Sequence, residues 1–489
     1  MATHHINREQ AVRRLGQIYL INCTCTGAAG ILISFIYDRI GLYNLGQTNL
    51  FMIYIGYCIA SFFPAKILGF FRELKLGLAV GFFVNGLQIL AAIWTYSCYA
   101  LEATHGLCSV RFLGFFNISI AFAIGLFSNV YIWTGNFEFI ARVSTNVEKK
   151  VMFAIYNSYL VFNAILANFL NIVFYSYEMN SLYVFIVSYI IFLLVTSSIY
   201  WYLPDIDGYV PEDDPQEKPV CPPAPADSNE VELKRLDVGQ LRERVEPLVG
   251  ESGEKEKLDG GRTEPGSKAV SSRELKKTDV GFYETVQIYS NLMKESKYYA
   301  LMPYLIQSGL FQGFSQGSIY RLVVDVYATN TTVNESYVKK MICVVLIGYA
   351  ISSLGAAYAG QFLKGDKRNL VMKLNSSLFA ILMVIQVFFA RYITSIWVVA
   401  FQALLFGTID IMFQQLIAVY LSETFPNATE PYALFKLIQN FICGIFMVVY
   451  IVSSTSTYTV LNAGSHVCLA IWFVLIFDKY NAKPLEHKH

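Results

Sequence analysis

Leu203-Pro204-Asp205-Ile206-Asp207-Gly208-Tyr209-Val210-Pro211-Glu212-Asp213-Asp214-Pro215 marks the point where an almost unbroken apolar sequence turns polar. The polar run continues to about residue 296, through Pro222-Pro223-Ala224-Pro225 and Gly260-Gly261-Arg262, and holds nine of the chain's 14 prolines. Roughly two hundred apolar residues lie on each side of it. A polar middle between two equal water-avoiding halves suggests duplication. An ungapped shift of 292 positions places Gly56 on Gly348, Tyr57 on Tyr349, Ser61 on Ser353 and Ala65 on Ala357. The basic residues that follow also align, Arg72 on Lys364 and Lys75 on Lys367. Parallel repeats of this kind build one large class of transporter folds.

Of the 489 residues, 55% are hydrophobic and 15% charged, where a soluble chain carries about a quarter charged residues. So much apolar surface does not fit into one aqueous core, and the chain reads as a multi-pass membrane protein. A net charge of +1 gives no reason to expect a nucleic-acid partner. The first apolar stretch, Leu15 to Tyr37, is longer than a signal-peptide core and reads as the first span.

At about 20 apolar residues per crossing, spans fall near 15–37, 47–69, 77–99, 112–136, 151–175 and 182–203. A second six fall near 299–322, 340–363, 370–390, 394–421, 432–454 and 457–477. The expected organisation is a six-helix bundle over 1–203, a largely disordered cytosolic loop over 204–296, and a second six-helix bundle with a short tail over 297–489. Within the loop, Phe282, Val286, Tyr289 and Met293 have helical spacing and suggest a helix along the inner membrane surface.

Lysine and arginine set the orientation. With the N-terminus in the cytosol, that side carries Arg8, Arg13, Arg14, Lys66, Arg72, Lys75, Arg142, Lys149, Lys150, Lys364, Lys367, Arg368, Lys436, Lys479, Lys483 and Lys488. The far side carries only Arg39, Arg111, Arg321, Lys339, Lys340 and Arg391. Both termini are therefore expected in the cytosol. The glycosylation acceptors Asn330 and Asn334 then fall outside, in the loop after span 7. Cys98 and Cys108 flank the loop between spans 3 and 4, which allows a disulfide if that loop faces an oxidising compartment.

Polar residues inside spans are costly and therefore informative. They include Asn22 and Thr26 in span 1, Asn129 and Asn136 in span 4, and Asn157 and Asn168 in span 5. Span 7 carries Ser308, Gln312, Ser315 and Gln316, and span 10 carries Asp410, Gln414 and Gln415. These groups either bridge helices or line a shared cavity; spans 1, 4, 7 and 10 hold equivalent places in the two repeats. Asp410 lies near mid-depth. Lys436 lies about one turn from the cytosolic end of span 11 and is expected to reach outward, leaving Asp410 without a basic partner. Asp410 then binds a cation or proton, or stays protonated and hydrogen-bonded. A lumen with no basic residue disfavours anionic cargo. Gly348, Ser352, Ala356 and Gly360 mark a packing face of span 8. No hydrolase triad, metal site, cofactor motif or phosphate loop is present in the sequence, and an enzyme is not expected.

The loop Gly360-Gln-Phe-Leu-Lys364-Gly-Asp366-Lys367-Arg368 resembles the basic signature loop of the major facilitator superfamily. Within that superfamily the chain resembles the uncoordinated-93 family. The similar stretches are Gly407-Thr-Ile-Asp410-Ile-Met-Phe-Gln414-Gln415, Ala433-Leu-Phe435-Lys436-Leu-Ile-Gln439, Pro303 with Ser308-Gly309, Trp133-Thr-Gly-Asn136 and Phe153-Ala-Ile-Tyr156. The chain departs from that family in Asn136-Phe137-Glu138-Phe139, where a glycine and a tyrosine are usual. The resemblance implies an all-α membrane protein with twelve transmembrane helices in two six-helix repeats. It also implies a membrane-protein partner, a potassium-type ion channel or a receptor, that this protein regulates or accompanies. The residues themselves leave three readings open: such a regulator, a carrier for a cation or neutral small solute coupled to protons through Asp410, and a structural scaffold.

Overall fold

A computed structural model describes residues 7–42, 44–71, 73–145, 148–177, 181–206, 281–328, 335–360, 362–363, 365–389, 395–425, 429–453 and 455–481. Most of the polar middle, and the acceptors Asn330 and Asn334, lie outside the described residues. The described residues are helical throughout, with no strand among them. The N-terminal half contains α1 (Arg8–Arg39), α2 (Leu45–Ala60), α3 (Pro64–Phe70), α4 (Leu74–Ala100), α5 (Val110–Ala123), α6 (Asn136–Val143), α7 (Lys149–Ser176) and α8 (Ser181–Tyr202). A short α9 (Phe282–Lys294) leads into the second half. That half contains α10 (Ser296–Ala328), α11 (Glu335–Gly360), α12 (Gly365–Phe389), α13 (Ile396–Thr424), α14 (Thr429–Val452) and α15 (Thr455–Asn481).

Nine of the described helical segments are long and apolar enough to cross a membrane. With α1, the α2–α3 pair and α10 they make the twelve crossings that the hydropathy implies. Large apolar side chains such as Phe115, Leu194, Ile381, Phe401 and Leu475 are exposed on the surface, where lipid covers them at no cost. The second crossing is broken at Ser61–Phe63 because Pro64 brings no N–H and begins a new helix. The fourth runs unbroken from α5 to α6 through two π-helical segments, Ile124–Ser128 and Val130–Gly135. Each π turn rotates the side chains after it, and such turns are frequent at functional sites. Hydropathy carries no trace of them.

The halves have separate cores. In the first, α1 packs on α4, α7 and α8, and α4 packs on α8. In the second, α10 packs on α13, α14 and α15, α11 on α13, and α12 on α15. Across the two halves α7 meets α11 and α2 meets α14.

The expected packing face of α11 lies against α13. A Cβ on Gly407 would overlap the Tyr349 carbonyl and the Ser352 hydroxyl, and one on Gly360 would meet Gln415 at 2.7 Å. The Ser353 hydroxyl donates to the Gly407 carbonyl at 2.7 Å. The first half repeats the device, with Gly125 against the Ile53 carbonyl of α2.

α9 differs from the expected surface helix. Its Thr285 and Tyr289 are buried, and the Tyr289 hydroxyl donates to the Ser61 carbonyl at 2.8 Å. Ser61 follows the last residue of α2, and Pro64, three residues on, has no N–H to offer its carbonyl. Phe282 sits 5.5 Å from the ring of Phe62 and 5.6 Å from that of Phe63. α9 thus ties the start of the second half to the end of α2.

Candidate functional site

Asp410 and Gln414 stand one turn apart on α13 and share a face; Gln415 is turned away from it. The Tyr349 hydroxyl of α11 donates to Asp410 Oδ2 at 2.6 Å. Gln414 lies beside the Asp410 carboxylate, one turn along the same helix. The Gln414 Oε1 accepts from Lys436 Nζ of α14 at 2.8 Å. Lys436 Nζ donates a second bond to Gln439 Oε1 at 2.9 Å, and the Gln439 amide donates to the Ser308 hydroxyl of α10 at 3.3 Å. Polar contacts therefore tie α11 to α13 at Asp410, and α13 to α14 and α10 through Gln414, Lys436, Gln439 and Ser308.

This overturns the expectation that Lys436 reaches outward. The residue is 5% exposed. Its Nζ lies 4.8 Å from the ring centre of Phe435, 5.1 Å from that of Trp133 and 5.6 Å from that of Tyr432. Ring faces and two amide oxygens replace the water a lysine would otherwise seek. The lumen is therefore not free of basic residues, and the argument that excluded anionic cargo on that ground falls.

The pair faces a cavity of about 870 Å³ between the two halves. Asp410, Gln414, Gln312 and Asn129 are on its wall. So are Cys23 and Thr26 of α1, which gives the shared lumen of spans 1, 4, 7 and 10. Spans 2, 5, 8 and 11 contribute as much, through Tyr54, Tyr57, Tyr156, Asn157, Asn163, Tyr349, Ser353, Lys436 and Asn440. Among the described residues, Asp410 and Lys436 are the only charged side chains on the wall.

The cavity extends to Tyr37, Asn44 and Gly46, at the turn between α1 and α2. At its opposite end, Phe137 of α6 stacks on Tyr432 of α14, with centroids 4.2 Å apart at 13°. Phe153 stacks on the other side of Phe137 at 4.9 Å. The rings join the two halves and form a floor. The Tyr289–Ser61 bond lies toward the same end, at which α1 begins and α15 ends. Cys98 and Cys108 are disulfide-bonded at the other end.

No family model matches the chain, and no curated protein matches it. Solved structures do. One is a variant of the E. coli fucose:proton symporter FucP, with a TM-score of 0.54 and 10% identity over 95% of this chain and 98% of that one. Another is a variant of the nucleoside transporter NupG, with a TM-score of 0.54 and 13% identity over 96% of this chain and all of that one. The chain has the major facilitator fold.

In this major facilitator body the remaining candidates from the sequence lie off the cavity wall. Asn22 is fully buried and accepts from the Thr196 hydroxyl of α8 at 3.5 Å. Asn136 donates to the Tyr156 hydroxyl at 2.5 Å. Ser308 is held by Gln439, and Gln415 packs on Gly360. These four join helices to each other. The Gln316 side chain lies outside the described residues. Among the described residues no cluster of histidine, cysteine, aspartate or glutamate could hold a metal ion.

The repeat explains where the charge sits. Tyr57 in α2 hydrogen-bonds Thr134 of the fourth crossing at 3.3 Å, and its repeat partner Tyr349 bonds Asp410 of the tenth. Ser61 and Ser353 each donate back to those tyrosines' carbonyls, at 2.8 and 2.9 Å. The geometry is duplicated, but only the second half places a carboxylate there.

Proposed function

We propose that this multi-pass membrane protein is a secondary carrier that moves a small solute through the central cavity, and that the Asp410–Lys436 pair is the point where a proton couples to that movement. The observation that carries this reading is the cavity itself. It is lined by both repeats, has a stack of rings from both halves at one end, and among the described residues contains a single acid and a single base. The structural neighbours named a proton symporter and a nucleoside transporter support it.

The chemistry follows from the contacts. An ionised Asp410 balances Lys436. A proton arriving at the free carboxylate lone pairs neutralises Asp410 and leaves Lys436 held by two amide oxygens and three rings. One of those rings, Tyr432, is half of the floor. Protonation is thereby linked to the contact that must part for the cavity to open at the other end. In this scheme Asp410 holds the proton, Tyr349 fixes its carboxylate, and Lys436 senses its charge.

Nothing in the comparisons extends the likeness to the uncoordinated-93 family, so the channel-regulator role implied by that resemblance is set below the carrier. Purified protein in sealed vesicles with an imposed pH gradient tests the reading. Accumulation that collapses with the gradient and is lost in Asp410→Asn is the expected result. Accumulation that persists unchanged in Asp410→Asn removes the coupling role. A channel that copurifies in fixed ratio, with no uptake by the protein alone, overturns the carrier.

A further inference from the structure

The charges and amides on the cavity wall restrict what it can hold. While Asp410 is ionised it offsets Lys436, and among the described residues the wall then carries no net charge. A charged solute would bring an uncompensated ion into a low-dielectric site, at a cost that only a paired counter-charge offsets. Each member of the pair is already committed to the other and to neutral neighbours. Two of the three N–H groups of Lys436 are taken by Gln414 and Gln439, and rings of Trp133, Phe435 and Tyr432 surround its Nζ. Asp410 accepts from the Tyr349 hydroxyl.

The rest of the polar wall is neutral amide, including Gln88, Asn129 and Asn157. Two of its buried oxygens have no hydrogen-bond partner among the described residues: Gln312 Oε1 on α10 and Asn49 Oδ1 on α2. They come from opposite halves. Both are acceptors, and an unmet buried acceptor is destabilising until a donor reaches it. Oxygen acceptors attract hydroxyl and N–H groups and repel anions.

On the carrier reading, we propose that the solute is an uncharged molecule rich in hydrogen-bond donors, of the polyol, sugar or nucleoside kind, and that Gln312 and Asn49 accept donors from it, one from each half. A cavity of about 870 Å³ is at the upper end of the usual ~300–1,000 Å³ range for small-molecule sites, large enough for a single ring with substituents. A solute that bonds both halves at once favours their closure over it, as a carrier requires.

The test uses the full-length protein in detergent, with thermal shift and equilibrium binding as readouts. The probes are myo-inositol and uridine as neutral donors, lactate as an anion and choline as a cation. At least one neutral probe is expected to stabilise the protein, and neither charged probe is. Gln312→Leu and Asn49→Leu should each weaken the neutral probe by about threefold to tenfold, the equivalent of one hydrogen bond. The two residues sit on different helices, so misfolding of one variant leaves the other as a test. Preference for lactate or choline overturns the substrate class and leaves the carrier standing. A neutral probe that binds but is never accumulated in vesicles keeps the class and removes the carrier. No binding by any probe, or binding that neither variant weakens, overturns the proposal.

Discussion

Replacing Lys436 with methionine keeps the bulk of the side chain and deletes its charge. The hydrogen bonds to Gln414 and Gln439, 2.8 and 2.9 Å long, vanish. Bonds to a charged group contribute about 1.5–3 kcal/mol each. Methionine keeps the apolar contact with Trp133, Tyr432 and Phe435 but not the cation–π attraction. Asp410 loses its counter-charge. Breaking a buried pair from one side costs about 3–5 kcal/mol, a total that already includes the lost bonds. Asp410→Asn should cost less, about 1–3 kcal/mol, because an amide still bonds the Tyr349 hydroxyl. The two changes together should then destabilise less than their sum, by about 1–3 kcal/mol, since neither charge is left unpaired. Unfolding of the wild type, both single variants and the double variant in detergent gives this coupling directly. Additivity within about 0.5 kcal/mol would refute the paired-charge reading and return Lys436 to the role of a packing residue.

Further expectations concern the floor, the packing face, the disulfide and pH. Phe137→Ala removes one ring of the Phe137–Tyr432 stack, worth about 0.5–1.5 kcal/mol beyond its buried area. A cysteine placed at Asn157 should then react faster with a reagent applied from the side of the termini; an unchanged rate would mean that the rings are not the barrier. Gly407→Ala forces α13 away from the Tyr349 carbonyl and should cost about 1–3 kcal/mol, read as a lower unfolding midpoint, whereas Gly355→Ala, where a Cβ meets nothing within 4 Å, should not. Cys98 and Cys108 should take up a thiol reagent only after reduction, and at the cell surface only from outside, which checks the disulfide and the cytosolic placement of the termini together. Burial raises the affinity of Glu148 for protons, but hydrogen bonds from Thr145 and the Arg8 guanidinium more than offset this, and its carboxyl titrates below the ordinary glutamate value. The folded state therefore gains from Glu148 above that value and loses the gain as pH falls through the lowered one; the acid limb of the stability profile should flatten in Glu148→Gln.

The membrane class, the crossings and the duplication were legible in the sequence because hydropathy is a local property and a bilayer imposes one length on every helix. The small-residue face of α11 was legible for the same reason: Gly348, Ser352, Ala356 and Gly360 recur at the helical period, and the fold places Gly407 and Gln415 of α13 against them. Asp410, Gln414, Gln312 and Asn129 stood out as polar groups inside apolar spans, and they do meet at one cavity. Asn22, Asn136, Ser308 and Gln415 gave the same signal and bind helices together instead. Period and composition place a residue on a helix; they do not say which neighbour that helix turns it toward. The direction of Lys436 was decided only in three dimensions. A flexible chain one turn from the membrane surface can reach water or turn inward, and the outcome depends on Trp133, which is 303 positions away in sequence, and on a glutamine of another helix. The π turns that rotate the fourth crossing, and the bond by which Tyr289 meets the carbonyl that Pro64 cannot serve, likewise depend on contacts between segments far apart in the chain. Tertiary packing therefore turned a polar residue near a helix end into the charge partner of Asp410.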